Sequence, residues 1–331
     1  MTQFKAFEVT KEDDGTFTRA IVERDIDDLP DGDVLVRVAY SSLNYKDGLS
    51  AIGNPGVTRN YPHTPGIDAA GTVAASSDAS IAEGTEVIVI GFDLGMNTAG
   101  GFGEYISVPA GWVTPLPSGL SVREAMILGT AGFTAALCVH KLESAGMSPS
   151  GGPVLVTGAT GGVGSVAVRL LSQAGYETHA VTGKASKHEF LTKLGAAEIH
   201  PRGEFDDESS RPLLRETWGG VVDTVGGTIL FNCIKALKYG QSAAACGLVS
   251  SPMIPAAVFP FILRHVNLLG IDSVELPLDQ KKVIWAKLAS EWKIENLEDF
   301  VEPLTLENLS DAIDRILAGE MVGRGLLKHS N

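Results

Sequence analysis

The chain has 331 residues, and its 26 Lys and Arg against 40 Asp and Glu give a formal net charge of −14. A composition of 44% hydrophobic and 20% charged residues is that of a globular protein with ample core at a length of about two domains, which excludes disorder and fibre. A chain this acidic and without a basic block has no field to draw phosphodiester backbone or anionic lipid, so nucleic acid and membrane surface are not expected partners. The amino terminus, Met1 to Lys5, lacks the charged and apolar regions of a signal peptide. No stretch approaches the roughly 18 apolar residues needed to cross a bilayer, so a cytoplasmic protein is expected.

Residues 1–115 are rich in short β-like runs, Asp33 to Tyr40, Ala69 to Ala75 and Thr85 to Ile90, punctuated by Gly, Pro and Asp turns. That texture predicts an antiparallel, barrel-like domain. From Ser121 apolar strands alternate with helical patterns, with strands expected at Val154 to Thr157, Thr178 to Thr182, Val221 to Val225, Ser242 to Gly247 and Asn267 to Ile271. Alternation of this kind predicts βαβ units and a parallel sheet. Helical patterns at Gln280 to Trp292 and Leu306 to Ala318, then a β-like end at Gly325 to Lys328, complete the chain. The expected organisation is α/β: residues 1–120 and 275–331 as one domain, 121–274 as the other. Charge follows that division, at −10 over residues 1–120, +1 over 121–270 and −5 over 271–331.

The strand at Val154 to Thr157 feeds into Gly158-Ala159-Thr160-Gly161-Gly162-Val163-Gly164 and then a helical pattern from Ser165. This is G-x-G-x-x-G in its structural context, with Ala159 at the first glycine position. Gly161 lets backbone approach a pyrophosphate, Gly164 lets helix pack on strand, and the helix start offers N–H donors at a positive dipole end. The next strand ends in Thr182-Gly183-Lys184-Ala185-Ser186-Lys187, with no carboxylate to take a ribose 2′-hydroxyl. Lys184 and Lys187 supply positive charge, and Thr182 and Ser186 supply hydroxyl donors, so a 2′-phosphate and hence NADPH is expected.

Cys138, Cys233 and Cys246 are distant in sequence and set in apolar surroundings, and neither CxxC nor HExxH occurs, so no metal site of familiar spacing is expected. The seven histidines, His63, His140, His179, His188, His200, His265 and His329, are scattered with no G-x-S-x-G beside them, which disfavours a hydrolase.

The β-domain-then-nucleotide-turn order, Asn44-Tyr45-Lys46-Asp47, the run Pro65 to Val73 and Asp223-Thr224-Val225-Gly226-Gly227 resemble the medium-chain dehydrogenase/reductase superfamily over nearly the whole chain. Ser41 to Asp47, Gly129 to Ala135, Ala245 to Leu248 and Pro260 to Arg264 resemble its NADPH-dependent acryloyl-CoA reductase branch, also labelled quinone oxidoreductase-like. The resemblance implies a GroES-like β-barrel catalytic domain, a Rossmann nucleotide domain and a homodimer joined through the last Rossmann strand. Where zinc-dependent members place a thiolate and Gly-His-Glu, this chain has Asn44, Tyr45 and Gly66-Ile67-Asp68, and Gly91 to Tyr105 replaces the four-cysteine lobe, so neither zinc site is expected.

A metal-free reductase needs a substrate already activated for hydride attack. The expected reaction is reduction of the C2=C3 bond of acryloyl-CoA to propionyl-CoA, with hydride to C3 and a proton to C2. A quinone or general enone reductase and a non-catalytic NADPH-binding sensor are the alternatives. By resemblance, Tyr45 is the expected donor near the nicotinamide and Asn44 the dipole that orients it. Arg202 is implied at the adenosine side, Leu248, Ile262 and Ser273 at the nicotinamide side, and Arg324 over phosphate or thioester. Residue type alone reads Leu248 and Ile262 as core, and Lys46 and Asp47 as paired with each other or with solvent.

Overall fold

The computed structural model describes residues 2–206 and 211–330. Strands β1 (Gln3–Lys11) and β2 (Phe17–Asp25) form a hairpin, followed by β3 (Val34–Leu43) and helix α1 (Tyr45–Ala51). Then come β4 (Asp68–Ser76), β5 (Glu86–Ile90), β6 (Tyr105–Val108), β7 (Val113–Pro115) and the long helix α2 (Val122–Ser144). The nucleotide-turn region holds β8 (Val154–Val156), α3 (Gly162–Gln173), β9 (Thr178–Thr182), α4 (His188–Leu194), β10 (Glu198–Pro201) and β11 (Gly220–Asp223). It continues with α5 (Gly227–Lys235), β12 (Ser242–Ala245), α6 (Phe259–Arg264) and β13 (Asn267–Gly270). The chain then adds α7 (Leu278–Leu288), β14 (Val301–Leu304), α8 (Leu309–Leu317) and β15 (Arg324–Lys328).

Two compact units result. The first comprises Met1–Thr130, Val274–Ser290 and Glu295–Asn331, the second Ala131–Ser273 and Glu291–Ile294. In the first, β3 is the hub, pairing antiparallel with β4, β6 and β15. Its Val34, Val36 and Val38 alternate inward onto Val73, Val87, Val89 and Ile106, as a strand with one face on a core must. The sheet runs β14-β15-β3-β4-β5-β7 and is mixed, because β14 and β15 pair parallel where antiparallel strands were expected throughout. Leu309, Ala312 and Ile313 of α8 pack with Phe7, Leu43 and Ala51, so the returning tail completes this unit's core. Lys281 of α7 is buried; its Nζ donates 2.9 Å bonds to the carbonyls of Ile90 and Val274 and lies 3.6 Å from the centre of the Phe92 ring.

The second unit carries a six-stranded sheet, β10-β9-β8-β11-β12-β13, in which every pair is parallel. In chain order this is 3-2-1-4-5-6, the doubly wound Rossmann arrangement. Strands β8 and β9 are buried at every residue, as parallel strands covered on both faces must be. The order reverses between β8 and β11, which opens a crevice at their carboxyl ends.

Helix α2 corrects the expectation about apolar stretches, since by length and composition it is able to cross a membrane. Of its most apolar 18-residue window 83% is buried inside the molecule, so its apolar character is that of a core helix. It is also broken in the middle: Gly129 has φ 53 and ψ −158.

Candidate active site

In the second unit the nucleotide turn is built on backbone constraint. Gly158 has φ 59, and a Cβ on Gly164 would stand 2.3 Å from the Gly158 carbonyl oxygen, so helix start and strand end touch as closely as the motif requires. Gly161, the residue preceding α3, has no side chain to cap the first helical N–H groups, and a Cβ there would meet only the Gly158 oxygen, at 3.3 Å. That leaves an open face of backbone donors at a helix amino terminus, formed by Gly161, Gly162, Val163 and Gly164, with Ala159 and Thr160 buried behind it.

The switch point is tied from the other side. Thr157 Oγ1 donates to Asp223 Oδ1 at 2.7 Å, Thr224 Oγ1 donates to the Thr157 carbonyl at 2.9 Å, and the Gly226 N–H donates to Asp223 Oδ2 at 2.8 Å. Burial pushes the Asp223 carboxyl up. These residues were legible only through resemblance, because nothing in the spacing of Thr157 and Asp223 states that β8 and β11 are neighbours.

At the ends of β9 and β10, Pro201 pairs with Thr182, which brings the two strand ends level. Arg202 then lies over Gly183: a Cβ there would be 3.5 Å from the Arg202 guanidinium carbon. The Thr182 hydroxyl accepts from the Lys184 N–H at 3.0 Å, Gly183 and Ser186 are exposed, and Lys187 ends the 3-10 turn before α4. The structure thus collects Thr182, Gly183, Lys184, Ser186, Lys187 and Arg202 at one place, with no carboxylate among them. This chemistry fits a phosphate on the adenosine ribose and so fits NADPH.

Leu248 and Ile262 are 63% and 70% exposed, which overturns the core reading that residue type favoured. Ser273 is buried and its Oγ accepts from Thr134 Oγ1 at 2.9 Å. Cys138 and Cys246 meet in this unit, and the Cys246 contact and burial push the Cys138 thiol up.

The first unit holds a buried polar network around Asp68, the opening residue of β4. Asp68 Oδ2 accepts from Ser42 Oγ at 2.5 Å and from Asn44 Nδ2 at 2.8 Å. The Thr130 N–H donates to both oxygens, at 3.0 and 2.9 Å, so Asp68 caps the second half of α2 just after the Gly129 break. A side chain at Gly129 is forbidden twice, by its positive φ and because a Cβ would lie 2.4 Å from Asp68 Oδ2. Arg324 opens β15 beneath this network and is 2% exposed. Its Nε donates to the Ile127 carbonyl at 3.0 Å, Nη1 to Asn44 Oδ1 at 3.2 Å and Nη2 to Ser42 Oγ at 2.9 Å, and Nη2 stands 3.7 Å from Asp68. Arg324 is therefore not a group that closes over phosphate or thioester: its cation is spent on buried partners.

Asn44 is likewise held at both ends, donating to Asp68 and accepting from Arg324, so its dipole acts within this network and orients α1. Asp47, expected to pair with Lys46 or solvent, is wholly buried. It accepts backbone N–H bonds from Asn44, Gly66 and Ile67 at 2.7, 3.2 and 2.9 Å. Burial and then the nearby Asp68 raise its carboxyl to about 7. Between these fixed neighbours Tyr45, the first residue of α1, is 39% exposed. Its neighbours Asn44 and Asp47 are bonded internally, so the exposed phenol at this helix start is the residue of the segment available to a ligand.

Residues 30–118 match the model of the alcohol dehydrogenase GroES-like domain, and residues 162–289 that of the zinc-binding dehydrogenase. The acrylyl-CoA reductase AcuI of Ruegeria pomeroyi is 46% identical over 97% of this chain and 98% of its own length. YhfP of Bacillus subtilis, whose name assigns it provisionally to the quinone oxidoreductases, is 46% identical over 91% of this chain and 92% of its own. YhfP solved with NAD bound superposes with a TM-score of 0.96 at 44% identity over 99% and 100% of the two chains. The YhdH oxidoreductase of Salmonella enterica in complex with NADP gives a TM-score of 0.96 at 43% identity over 99% and 100%.

The zinc implied by the second model's description can be tested against the donors present. The only carboxylate among Asn44, Tyr45, Ile67 and Asp68 is Asp68, both of whose oxygens already accept hydrogen bonds and beside which the Arg324 guanidinium lies. A divalent cation there would face a lone ligand and a like charge. The donor set does not fit zinc, and no step is drawn through one.

Proposed function

Because the chain belongs to the medium-chain dehydrogenase/reductase superfamily, we propose that it is an NADPH-dependent reductase that converts acryloyl-CoA to propionyl-CoA. The observation that supports this most is an exposed Tyr45 next to a buried network whose arginine is locked in hydrogen bonds and whose donor set does not fit zinc. Without a metal to polarise an alcohol or ketone, the substrate must bring its own activation, as an enoyl thioester does. When bound, NADPH supplies a hydride for C3 of the substrate.

The residues of this chain bind, orient and protonate. The N–H groups of Gly162, Val163 and Gly164 hold the pyrophosphate. Thr182, Gly183, Lys184, Ser186, Lys187 and Arg202 hold the 2′-phosphate, and Leu248, Ile262 and Ser273 face the nicotinamide. The Tyr45 hydroxyl donates to the oxygen that gains charge as C3 is reduced, or relays the proton that reaches C2. Asn44 is a positioning residue that fixes the start of α1. The first unit is the catalytic domain and the second the nucleotide domain, and two chains assemble as a homodimer.

Steady-state rates with acryloyl-CoA, crotonyl-CoA and a simple quinone, each with NADPH and with NADH, test this reading. The expected order of kcat/KM is acryloyl-CoA first, with Tyr45→Phe lowering kcat by about 100-fold, the size of one positioned acid–base group. A wide preference for the quinone overturns the substrate, and absence of NADPH oxidation with every acceptor overturns the enzyme in favour of a sensor.

A further inference from the structure

The seven histidines are dispersed in sequence, yet strand pairing brings two of them face to face. β9 and β10 run parallel with Glu198 opposite His179 and His200 opposite Val181, so His179, Glu198 and His200 project from one face of the sheet edge. His179 Nδ1 lies 3.0 Å from His200 Nε2. The Glu198 carboxylate closes the triangle, 3.6 Å from His179 Nδ1 and 3.9 Å from His200 Nε2. Ligand atoms about 2.0–2.2 Å from one zinc-sized ion stand at separations near these.

The outward nitrogens give an independent sign. His179 Nε2 faces Glu177 Oε1 at 3.0 Å, and His200 Nδ1 faces Glu204 Oε2 at 3.5 Å. A neutral imidazole whose N–H is taken by a carboxylate presents its other nitrogen as a lone pair. In that tautomer of both rings the two lone pairs and the Glu198 carboxylate point at one place, where a metal ion or a shared proton sits between them. The carboxylate–histidine–metal relay has this pattern.

The rings are also held in place. They stack at 5.2 Å, and Trp218 packs edge-on to both, at 5.5 and 5.8 Å, with Phe205 against His200. The imidazoles are nearly buried, at 9% and 15% side-chain exposure, while Glu198 is 60% exposed, so the point of convergence has fixed walls and an open mouth.

We propose that His179, Glu198 and His200 form a binding site for a divalent transition-metal ion, with Glu177 and Glu204 orienting the two imidazoles. Two imidazoles and one carboxylate suit zinc, cobalt, nickel or copper and leave coordination positions for water. The site lies on the nucleotide unit and shares no residue with the Asp68 network or with the nucleotide-binding positions. Its place at the β9–β10 edge makes it a clamp between the strands whose ends carry Thr182 and Arg202.

The test is a titration of the full-length, chelator-stripped protein, loaded with NADPH, with Co2+ alone, read by its visible d–d absorption and by melting temperature. Saturation at one equivalent per chain, with a higher melting temperature, is the expected result. Glu198→Gln alters an exposed side chain and keeps the fold, and it is expected to remove the band. His200→Gln is expected to do the same, Glu177→Gln to weaken binding by about 10- to 100-fold, and the exposed His188→Gln to change nothing. If the two histidines merely share a proton, Co2+ gives no saturable band. That result overturns the site, as does a band that survives in Glu198→Gln.

Discussion

Arg324 and Asp68 are at most 2% exposed, and each satisfies its partner's environment through Ser42 and Asn44 as well as directly. Burying a guanidinium is tolerable only while those acceptors remain, and burial already pulls its pKa down. Arg324→Met removes the cation and leaves Asp68 as an uncompensated buried anion. The expected loss is about 3–5 kcal/mol of unfolding free energy by denaturant titration. Asp68→Asn combined with Arg324→Met recovers part of it, which shows coupling. Asp47 makes a different statement. Its folded carboxyl stands near 7 against 3.8 when unfolded, so the folded state holds the extra proton between those values. The contribution to stability is complete below about pH 4, falls as pH rises through about 7 and is flat above that. Stability measured from pH 5 to 8 is therefore expected to decline for the wild type with a slope that Asp47→Asn abolishes. An unchanged slope in the variant assigns the titration to another group.

At the scale of elements, the ends of β9 and β10 carry the proposed 2′-phosphate site. Arg202 reaches Gly183 because Pro201 is level with Thr182, and the run Thr182 to Lys187 carries no acidic residue. Arg202→Ala is expected to lower kcat/KM for NADPH by about 10-fold, the value of one tenfold step of about 1.4 kcal/mol, while leaving NADH within a few-fold. An equal loss with both nucleotides moves Arg202 from the 2′-phosphate to a general structural role. The same two strands show what sequence carries. The fingerprint from Gly158 to Gly164 and the missing acid after Thr182 are local facts, legible because a turn's geometry depends on residues adjacent in the chain. The meeting of His179 with His200, or of Arg324 with Asn44 280 positions away, depends on register, which no local pattern states. Helix α2 was misjudged for a related reason: its apolar run is divided by Gly129, Thr130 and Thr134, and only the fold shows that both halves are core. Leu248 and Ile262 erred the other way, apolar by type yet exposed by position.

For the whole molecule, net charge and sheet edge act in opposite directions on self-association: an acidic chain repels its copy, and an open last strand offers it a pairing edge. Among the described residues β13 pairs only with β12, and its Asn267, Leu268 and Gly270 are exposed. In the segment that leads into β13, Val258 and Leu263 are 64% and 57% exposed. An open strand edge aggregates unless it is covered, and the proposed homodimer covers it by pairing β13 with its own copy, antiparallel, about a two-fold axis. The charge of −14 does not oppose this, because residues 121–270 carry 12 basic and 11 acidic groups and the acidity lies elsewhere in the chain. Light scattering is expected to give about twice 34.8 kDa, with little dependence on salt, since apolar burial and backbone pairing are not screened. Leu268→Lys sets two like charges against each other across the axis and is expected to give the single-chain mass. A wild-type mass near one chain refutes the dimer, and a dimer that dissociates as salt falls locates the interface on the acidic unit instead of on β13.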